Sequence, residues 1–313
     1  MKKSLVIGAA GFVGEHLVDC LINEFGHEVC GTKLAEQDCA RAGARMFDLD
    51  ILDRTEIDSL LAQIRPDIIF HLAAQSSVAV SWKRPQLTVD INIKGSLNVL
   101  ESVRSLDHRP RVILIGSGEE YGTPPAGSNQ IGEETPLRPG NIYAATKAAQ
   151  NMLGAIYARA YGLDVLSARA FNHIGPGQAE TFVVSDFCRQ VAEIEAGKRE
   201  PVMLVGNLSA FRDFTDVRDV ARAYALLAEK GRPGETYNVG SGKAIQISSI
   251  LDKIVARSRK RIEVRVDESK LRPVDVPKIE ADVGKIMRET GWRPERSIDD
   301  TIGDVLDWWR KRI

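Results

Sequence analysis

Three glycines near the start of the chain constrain its fold more than any other feature. Gly8, Gly11 and Gly14 lie between an apolar segment, residues 4–7, and an amphipathic segment, residues 13–25. Glycines at the junction of a strand and a helix permit a tight turn, and they let the backbone at the helix N-terminus approach a pyrophosphate. The spacing therefore predicts a dinucleotide-binding unit, and the alternative is a plain glycine-rich turn.

Apolar runs alternate with amphipathic stretches through the first half of the chain. This alternation is typical of a doubly wound parallel sheet, the Rossmann fold of the α/β class. We predict buried strands at residues 4–7, 28–31, 67–71, 111–116 and 164–169, and helices at residues 13–25, 55–65, 87–106 and 143–161.

The pattern changes after about residue 170. Asp216 has the position of an N-cap for a helix that runs to about residue 229, and the chain ends in an amphipathic helix. One helical stripe is formed by four apolar residues, which are Val184, Phe187, Val191 and Ile194. We predict a Rossmann domain from residues 1–170 and 211–242, and a smaller α/β substrate-binding lobe from residues 171–210 and 243–313.

Composition narrows the class of protein. The 313 residues carry a formal net charge of -1, which gives no overall field to attract nucleic acid or an anionic membrane. No apolar stretch approaches the ~18 residues of a membrane span, and a first strand explains the apolar start better than a signal peptide does. The four cysteines lack metal-ligand spacing. We expect a cytoplasmic protein with reduced thiols, no bound metal, and no nucleic-acid or membrane partner.

A tyrosine and a lysine four residues apart are the strongest candidates for chemistry. Tyr143 and Lys147 share one face of a predicted helix, where an ammonium favours the ionised form of a nearby phenol. Tyr143 can then exchange a proton with an alcohol or an alkoxide, and Lys147 can hold a nicotinamide ribose. Ser117 follows a predicted strand at the ligand crevice, so its hydroxyl can donate to a carbonyl oxygen. Together these residues predict hydride chemistry on a carbonyl or an alcohol.

Two charged positions leave alternatives open. The second strand ends near Lys33, where an acidic residue would bind ribose hydroxyls, and an ammonium favours a 2′-phosphate. NADP(H) is therefore the favoured cofactor and NAD(H) the alternative, with Lys33 as an ordinary surface lysine. Glu119, which a second glutamate follows at residue 120, is either a general base for an elimination or a group that orients a sugar hydroxyl.

The fourth predicted strand also ends at the crevice. His71 is the last residue of that strand, and we expect its ring to pack in the core instead of acting as a catalyst. Ala73 and Ala74 follow it, and their small side chains would let the sugar-phosphate of a cofactor approach the backbone.

Several longer strings carry a resemblance to a known family. They include Phe70-His-Leu-Ala-Ala, Ile115-Gly-Ser-Gly-Glu-Glu-Tyr-Gly, Arg169-Ala-Phe-Asn-His-Ile-Gly-Pro-Gly-Gln and Arg212-Asp-Phe-Thr-Asp-Val-Arg-Asp. Together with the glycine turn and the Tyr143–Lys147 pair, their order resembles the extended short-chain dehydrogenase/reductases that act on nucleotide sugars. More narrowly, it is similar to the GDP-4-keto-6-deoxy-D-mannose reductases. The string that starts at Arg169 is shared with GDP-mannose 4,6-dehydratases.

The resemblance implies further site residues. Asp48 would face the adenine, and Asn92 matches a structural asparagine. Cofactor contacts are implied for the three glycines, Tyr143 and Lys147, and for Phe12, Val13, Lys33, Asp48, Leu49, Leu72, Ala73, Ala74 and Asn92. Substrate contacts are implied for Ser76, Ser77, Glu119, Asn172, Phe182, Val183, Arg212 and Arg272. Within that set, Asn172 and the two arginines would hold the nucleotide diphosphate.

The resemblance also implies an activity and an assembly. We expect NAD(P)H-dependent reduction of the C4 ketone of GDP-4-keto-6-deoxy-D-mannose to GDP-6-deoxy-D-mannose (GDP-D-rhamnose). The candidate catalytic residues are Ser117, Tyr143, Lys147 and Glu119. We expect a homodimer, because the family usually pairs through the helices at 87–106 and 143–161. The substrate partner is a GDP-linked deoxyhexose.

Two other functions compete with this one. A GDP-mannose 4,6-dehydratase or a nucleotide-sugar epimerase would use Glu119 as a catalytic base. The region after Lys33 lacks the arginine-rich insertion that those dehydratases use for their cofactor, which favours the reductase. A regulator that only senses a dinucleotide is disfavoured because Ser117, Tyr143 and Lys147 are all present. Gly118, the Asn141-Ile142 pair and Thr181 depart from the usual family pattern, which leaves the exact sugar open.

Overall fold

A parallel sheet of seven strands lies at the centre of the structure, a computed structural model that describes residues 1–37, 39, 42–123, 130–270 and 276–313. Every neighbouring pair in this sheet is parallel. In sheet order the strands are Ala44–Asp48 (β3), Glu28–Lys33 (β2), Lys3–Ile7 (β1), Ile68–His71 (β4), Arg111–Ser117 (β5), Val165–Ala170 (β6) and Thr236–Val239 (β10). The predicted doubly wound parallel sheet is confirmed.

Helices cover both faces of the sheet. Phe12–Asn23 (α1) packs against Val217–Lys230 (α8) on one face. Arg54–Ile64 (α2), Ser96–Arg104 (α5) and Ile142–Tyr161 (α6) share an apolar cluster on the other face. Successive strand residues alternate between the two clusters, because side chains in a strand point to opposite faces.

The predicted helix at residues 87–106 is wrong as a single regular element. Its chain begins as Pro85–Val89 (α4), continues as a π-helical stretch over Asp90–Gly95, and resumes as α5. A Cβ at Gly95 would collide with the Ile51 side chain, so the widened stretch packs closely on its neighbour. Such widened turns are frequent at functional sites, and this one contains Asn92.

A second group of elements packs around its own apolar cluster. Its helices are Val183–Glu195 (α7), Ile247–Val255 (α9) and Ile298–Arg310 (α11). Phe211–Asp216 (β9) pairs with Asn172–Ile174 (β7), Ala244–Gln246 (β11) and Lys278–Ile279 (β13), while Val202–Val205 (β8) pairs with Glu263–Val266 (β12). The helical stripe predicted on α7 is buried as expected. The boundaries predicted between the two lobes stay a prediction.

Local sequence explains several helix ends. The Asp53 carboxylate caps α2 by accepting from the backbone of Thr55 and Glu56, and the Asp216 carboxylate caps α8 by accepting from the backbone of Arg218. Such caps satisfy amide groups that have no partner within the helix. The predicted N-cap at Asp216 is therefore confirmed. Val78–Lys83 (α3) and Gly284–Thr290 (α10) complete the α-helices of the described residues.

Among the described residues, no helix combines the length and the apolar character needed to cross a membrane. In the same part of the chain, no group of three or more His, Cys, Asp or Glu side chains could hold a metal ion. The four cysteines are not joined in disulfides.

Candidate active site at the carboxyl edge of the sheet

The glycine turn between β1 and α1 is packed so tightly that Gly8 and Gly14 have no space for a side chain. Gly8 has a φ of +90°, and a Cβ there would lie 2.8 Å from the Ala73 backbone nitrogen. A Cβ at Gly14 would collide with the Gly8 carbonyl oxygen. Helix α1 follows Gly11 without a side-chain cap, so no side chain at that position competes for its first amides. These features fit a pyrophosphate held at a helix N-terminus.

The other predicted cofactor residues surround this turn. Phe12 and Val13 are the first residues of α1, and the Phe12 ring stacks on the His173 ring with 6.0 Å between centroids. Leu49 is buried next to the end of β3. Leu72, Ala73 and Ala74 follow β4 and are partly buried. The structure thus brings these predicted positions to one edge of the sheet.

Lys33 and Asp48 form an ion pair with each other. They are aligned partners in the β2–β3 register, and Lys33 Nζ donates to Asp48 Oδ1 at 2.6 Å. The lysine side chain is 18% exposed and the aspartate 61%. The ammonium that we predicted to meet a 2′-phosphate therefore already has one carboxylate partner, which sequence spacing did not indicate.

Ser117, Tyr143 and Lys147 come together at the ends of β5 and α6. Ser117 is the last residue of β5, and its hydroxyl accepts from the Glu119 backbone amide at 3.2 Å. Lys147 Nζ donates to the Ile115 carbonyl oxygen at 2.7 Å and to the Gln150 side chain at 3.0 Å. Ser117, Tyr143 and Lys147 are all buried.

Burial controls the protonation of the tyrosine and the lysine. It raises the pKa of Tyr143 to about 12, although a hydrogen bond with Ser117 opposes the rise. It lowers the pKa of Lys147 to about 8, against the favourable charge of Glu120. The expected lowering of the Tyr143 pKa is therefore wrong for this structure, because desolvation of the phenolate and the negative charges of Glu119 and Glu120 all raise the pKa, and the Ser117 hydrogen bond does not offset them. Tyr143 keeps its proton at neutral pH.

Asn92 ties the loop after β4 to the catalytic helix. Its Oδ1 accepts from the Gln75 backbone amide at 2.8 Å, and its Nδ2 donates to Thr146 Oγ1 at 2.9 Å. Thr146 directly precedes Lys147, so Asn92 helps to place the lysine. The side chain of Asn92 is fully buried between these partners.

His71 is part of the core behind the same helix. Its Nε2 lies 2.9 Å from Ser96 Oγ, and the ring is fully buried. Burial and the nearby Lys147 charge lower the pKa of His71 to about 3, which keeps the imidazole neutral. This environment matches the expected packing role.

Glu119 lies beside Tyr143 but is held by another residue. Its Oε2 accepts from Asn141 Nδ2 at 3.2 Å, and Asn141 also caps α6 through the Ala144 backbone amide. The Glu119 charge raises the pKa of Tyr143. The carboxylate is therefore close enough to the phenol to influence the proton that Tyr143 carries.

The predicted substrate residues are placed at varied depths. Ser77 caps α3, and Ser76 and Asn172 are exposed. Phe182 and Val183, at the start of α7, are 41% and 36% exposed. Arg212 donates to the Val276 carbonyl oxygen at 2.7 Å. Arg272 lies outside the described residues.

Sequence reasoning gave no role to Glu120 and Arg169. Glu120 is fully buried beneath Ser117, and Arg169 Nε donates to its Oε2 at 2.8 Å. The two successive glutamates after Ser117 are apparent in the sequence and mark this position as unusual. The partner of Glu120, Arg169, lies on β6 and is brought close by the pairing of β5 with β6, which the sequence does not reveal.

Comparison with known proteins agrees with this arrangement. The chain is 30% identical to GDP-6-deoxy-D-mannose reductase of Pseudomonas aeruginosa over 316 residues, which covers 100% of this chain and 98% of the relative. It is 28% identical to GDP-mannose 4,6-dehydratase of Yersinia enterocolitica, over 98% of this chain and 93% of the relative.

Solved structures of similar proteins share the fold of this chain. A structure of RMD from Pseudomonas aeruginosa complexed with NADPH has a TM-score of 0.88 and 30% identity, and it is covered fully in both chains. UDP-glucose 4-epimerase of Thermus thermophilus complexed with NAD also has a TM-score of 0.88 and 30% identity, over 99% of this chain and 100% of that one. The family model for GDP-mannose 4,6 dehydratase matches residues 5–305. The chain therefore belongs to the GDP-mannose 4,6 dehydratase family of extended short-chain dehydrogenase/reductases.

Proposed function

We propose that this protein reduces the C4 ketone of a GDP-linked 4-keto-6-deoxyhexose, with GDP-4-keto-6-deoxy-D-mannose as the substrate and GDP-6-deoxy-D-mannose as the product. The observation that carries the proposal is a buried Tyr143, hydrogen-bonded with Ser117 and one helical turn before Lys147, at the carboxyl edge of the sheet. A group that holds its proton at neutral pH suits the acid required when a ketone becomes an alcohol.

Each residue of the site has a separate task in this reaction. The tight glycine turn at Gly8 and Gly14 would hold the pyrophosphate of a nicotinamide dinucleotide at the N-terminus of α1, and the dinucleotide supplies the hydride when it is bound. Ser117 donates to the substrate oxygen as negative charge builds on it. Tyr143 then transfers its phenolic proton to that oxygen. Lys147, held by the Ile115 carbonyl, stabilises the negative charge left on Tyr143.

The choice of a reductase is supported by chain length and by relatives. The alignment with the Pseudomonas aeruginosa reductase spans 316 positions, close to the 313 residues of this chain. The alignment with the Yersinia enterocolitica dehydratase spans 351 positions, so that relative carries insertions which this chain lacks. The substrate class follows from both relatives, since each is named for a GDP-linked mannose derivative.

NADPH is the cofactor that we propose for the reduction. Lys33 places an ammonium at the end of β2, where a 2′-phosphate is bound in folds of this type. Asp48 shares that ammonium, which lowers the expected preference over NADH.

The dehydratase is the second candidate, and Glu119 is the observation that favours it. Its carboxylate lies close enough to Tyr143 to raise the phenol pKa, which places a potential base beside the sugar site. A dehydratase would use that base to remove a proton during elimination.

We also propose a homodimer. Large apolar side chains are exposed on the neighbouring helices α3, α4 and α6, which contact one another. These residues are Trp82, Val89, Met152 and Ile156. An apolar face of this kind is typical of an interface between subunits.

One assay separates the two enzymatic candidates. Purified protein is incubated with GDP-mannose, with or without a known dehydratase that supplies the 4-keto sugar, and NADPH absorbance and sugar products are followed. A reductase oxidises NADPH when the dehydratase is present and leaves GDP-mannose untouched without it. Consumption of GDP-mannose by this protein with no added cofactor would establish the dehydratase instead.

A further inference from the structure

A buried ion pair lies directly behind the candidate active site. The Glu120 side chain is fully buried and that of Arg169 is 8% exposed, with Arg169 Nε 2.8 Å from Glu120 Oε2. A buried ion pair is weak evidence for stability, because well-packed apolar residues of similar size often serve as well or better.

The Glu120 carboxylate joins three elements that form the site. Its Oε1 accepts from the Ser117 backbone amide at 2.8 Å, at the end of β5. Its Oε2 accepts from Asn151 Nδ2 at 3.1 Å, on the helix that carries Tyr143, and from Arg169 on β6. Movement of the carboxylate would therefore change the position of Ser117 relative to α6.

The arginine is fixed from the other side. Its Nη1 donates to the Tyr121 hydroxyl at 3.0 Å, and the guanidinium lies 4.9 Å from the centre of that ring. The Tyr121 hydroxyl in turn donates to Asn238 Oδ1 at 2.7 Å. Glu120 is thus held in one place by a network of buried hydrogen bonds.

We propose that Glu120 is a positioning residue of the reductase, which fixes Ser117 against the catalytic helix and places a buried negative charge behind the catalytic groups. This inference rests on the proposed function for the meaning of those three groups. The geometry itself is independent of which sugar the enzyme uses.

The charges around the two catalytic groups make the direction of the effect clear. The negative charge of Glu120 raises the pKa of both Tyr143 and Lys147, so its loss lowers both. The groups that face Tyr143 are Ser117, Glu119, Glu120 and Tyr224, and those that face Lys147 are Glu120 and His71. His71 is neutral, and the Glu120 charge acts on both Tyr143 and Lys147.

Two variants test the proposal. Glu120→Gln removes the charge and keeps an oxygen that can accept from the Ser117 amide. The double variant Glu120→Leu with Arg169→Leu removes the charge and the acceptor together, and leaves no unpaired buried arginine that would itself unfold the protein. The matched control replaces the Arg111–Asp164 pair, at the opposite end of β5, by two leucines.

The first measurement needs neither substrate nor cofactor. Lysine labelled with carbon-13 at Cε reports its own titration by NMR, and the Lys147 signal is assigned from its absence in Lys147→Met. The wild-type midpoint is expected near the pKa of about 8, and both Glu120 variants should shift it to lower pH. The shift should be roughly one pH unit, and the control pair should leave the midpoint in place.

The second measurement is the pH profile of ketone reduction. The alkaline limb should move to lower pH in both Glu120 variants, and kcat of the double variant should also fall about 10- to 100-fold because Ser117 is no longer fixed. A folded variant whose Lys147 midpoint and alkaline limb both stay at the wild-type values would overturn the inference. If the wild type reduces no 4-keto GDP-sugar, the proposed function fails, while the Lys147 titration still decides the electrostatic role of Glu120.

Discussion

Replacing Lys33 by methionine tests how the protein chooses between NADPH and NADH. The substitution keeps the length and apolar stem of the side chain and removes its charge. A hydrogen bond from an ammonium to a phosphate contributes about 1.5–3 kcal/mol. The Lys33 side chain is 18% exposed, which places the contact at the lower half of that range because solvent screens it.

The expected result is a selective loss of NADPH affinity. At about 1.4 kcal/mol per factor of ten, Lys33→Met should weaken NADPH binding by roughly 10- to 40-fold. NADH has no 2′-phosphate, so its Kd should change by less than about 3-fold, the scale of an exposed ion pair. Both values can be measured by fluorescence titration of the reduced cofactor, at low and high salt. The NADPH advantage of the wild type should shrink at high salt because the contact is partly exposed.

Asp48→Asn is the opposing control. It removes the carboxylate that accepts from Lys33 at 2.6 Å and leaves the ammonium in place. An exposed pair of this kind is worth up to about 1 kcal/mol, so NADPH binding should tighten by up to about 5-fold. Equal weakening of both cofactors by Lys33→Met, or no change in either, would show that this lysine does not meet the 2′-phosphate.

Three further predictions concern the proton donor, the glycine turn and the assembly. Tyr143→Phe should reduce turnover at least ~100-fold while the cofactor Kd stays within about 2-fold, and surviving turnover would mean that another group supplies the proton. Gly8→Ala should destabilise the protein by ~1–3 kcal/mol more than Gly26→Ala in chemical unfolding, because both glycines have positive φ but a Cβ at Gly26 meets no atom within 4 Å. Met152→Lys combined with Ile156→Lys should halve the mass seen by light scattering. An unchanged mass would place the dimer interface elsewhere or show a monomer.

The parts of the site that sequence predicted are those with local signals. Tyr143 and Lys147 are four residues apart on one helix, and Ser117 ends a strand. The position of each residue within its own helix or strand can therefore be predicted without knowing which distant parts of the chain pack together. The glycine turn is equally local. A strand–turn–helix pattern therefore indicated the fold and the position of these residues at its carboxyl edge before any long-range contact was known.

The parts that sequence did not predict depend on register and burial. Lys33 meets Asp48 because β2 and β3 align those two positions, and Glu120 meets Arg169 because β5 and β6 pair. The π-helical stretch at Asp90–Gly95 has no simple periodicity to reveal it. Register and depth are decided by the packed fold, so spacing along the chain gave no information on these pairs.

The same burial that sequence could not predict determines which direction of proton transfer the site favours. Desolvation penalises any isolated charge, so it raises the pKa of the Tyr143 phenol and lowers that of the Lys147 ammonium. A reduction begins with a protonated tyrosine, which is the state that burial stabilises. An elimination that starts by oxidising a sugar hydroxyl begins with a proton acceptor, and Tyr143 would first have to lose a proton held with a pKa of about 12. The desolvated phenol is therefore in the protonation state from which the proposed reduction starts.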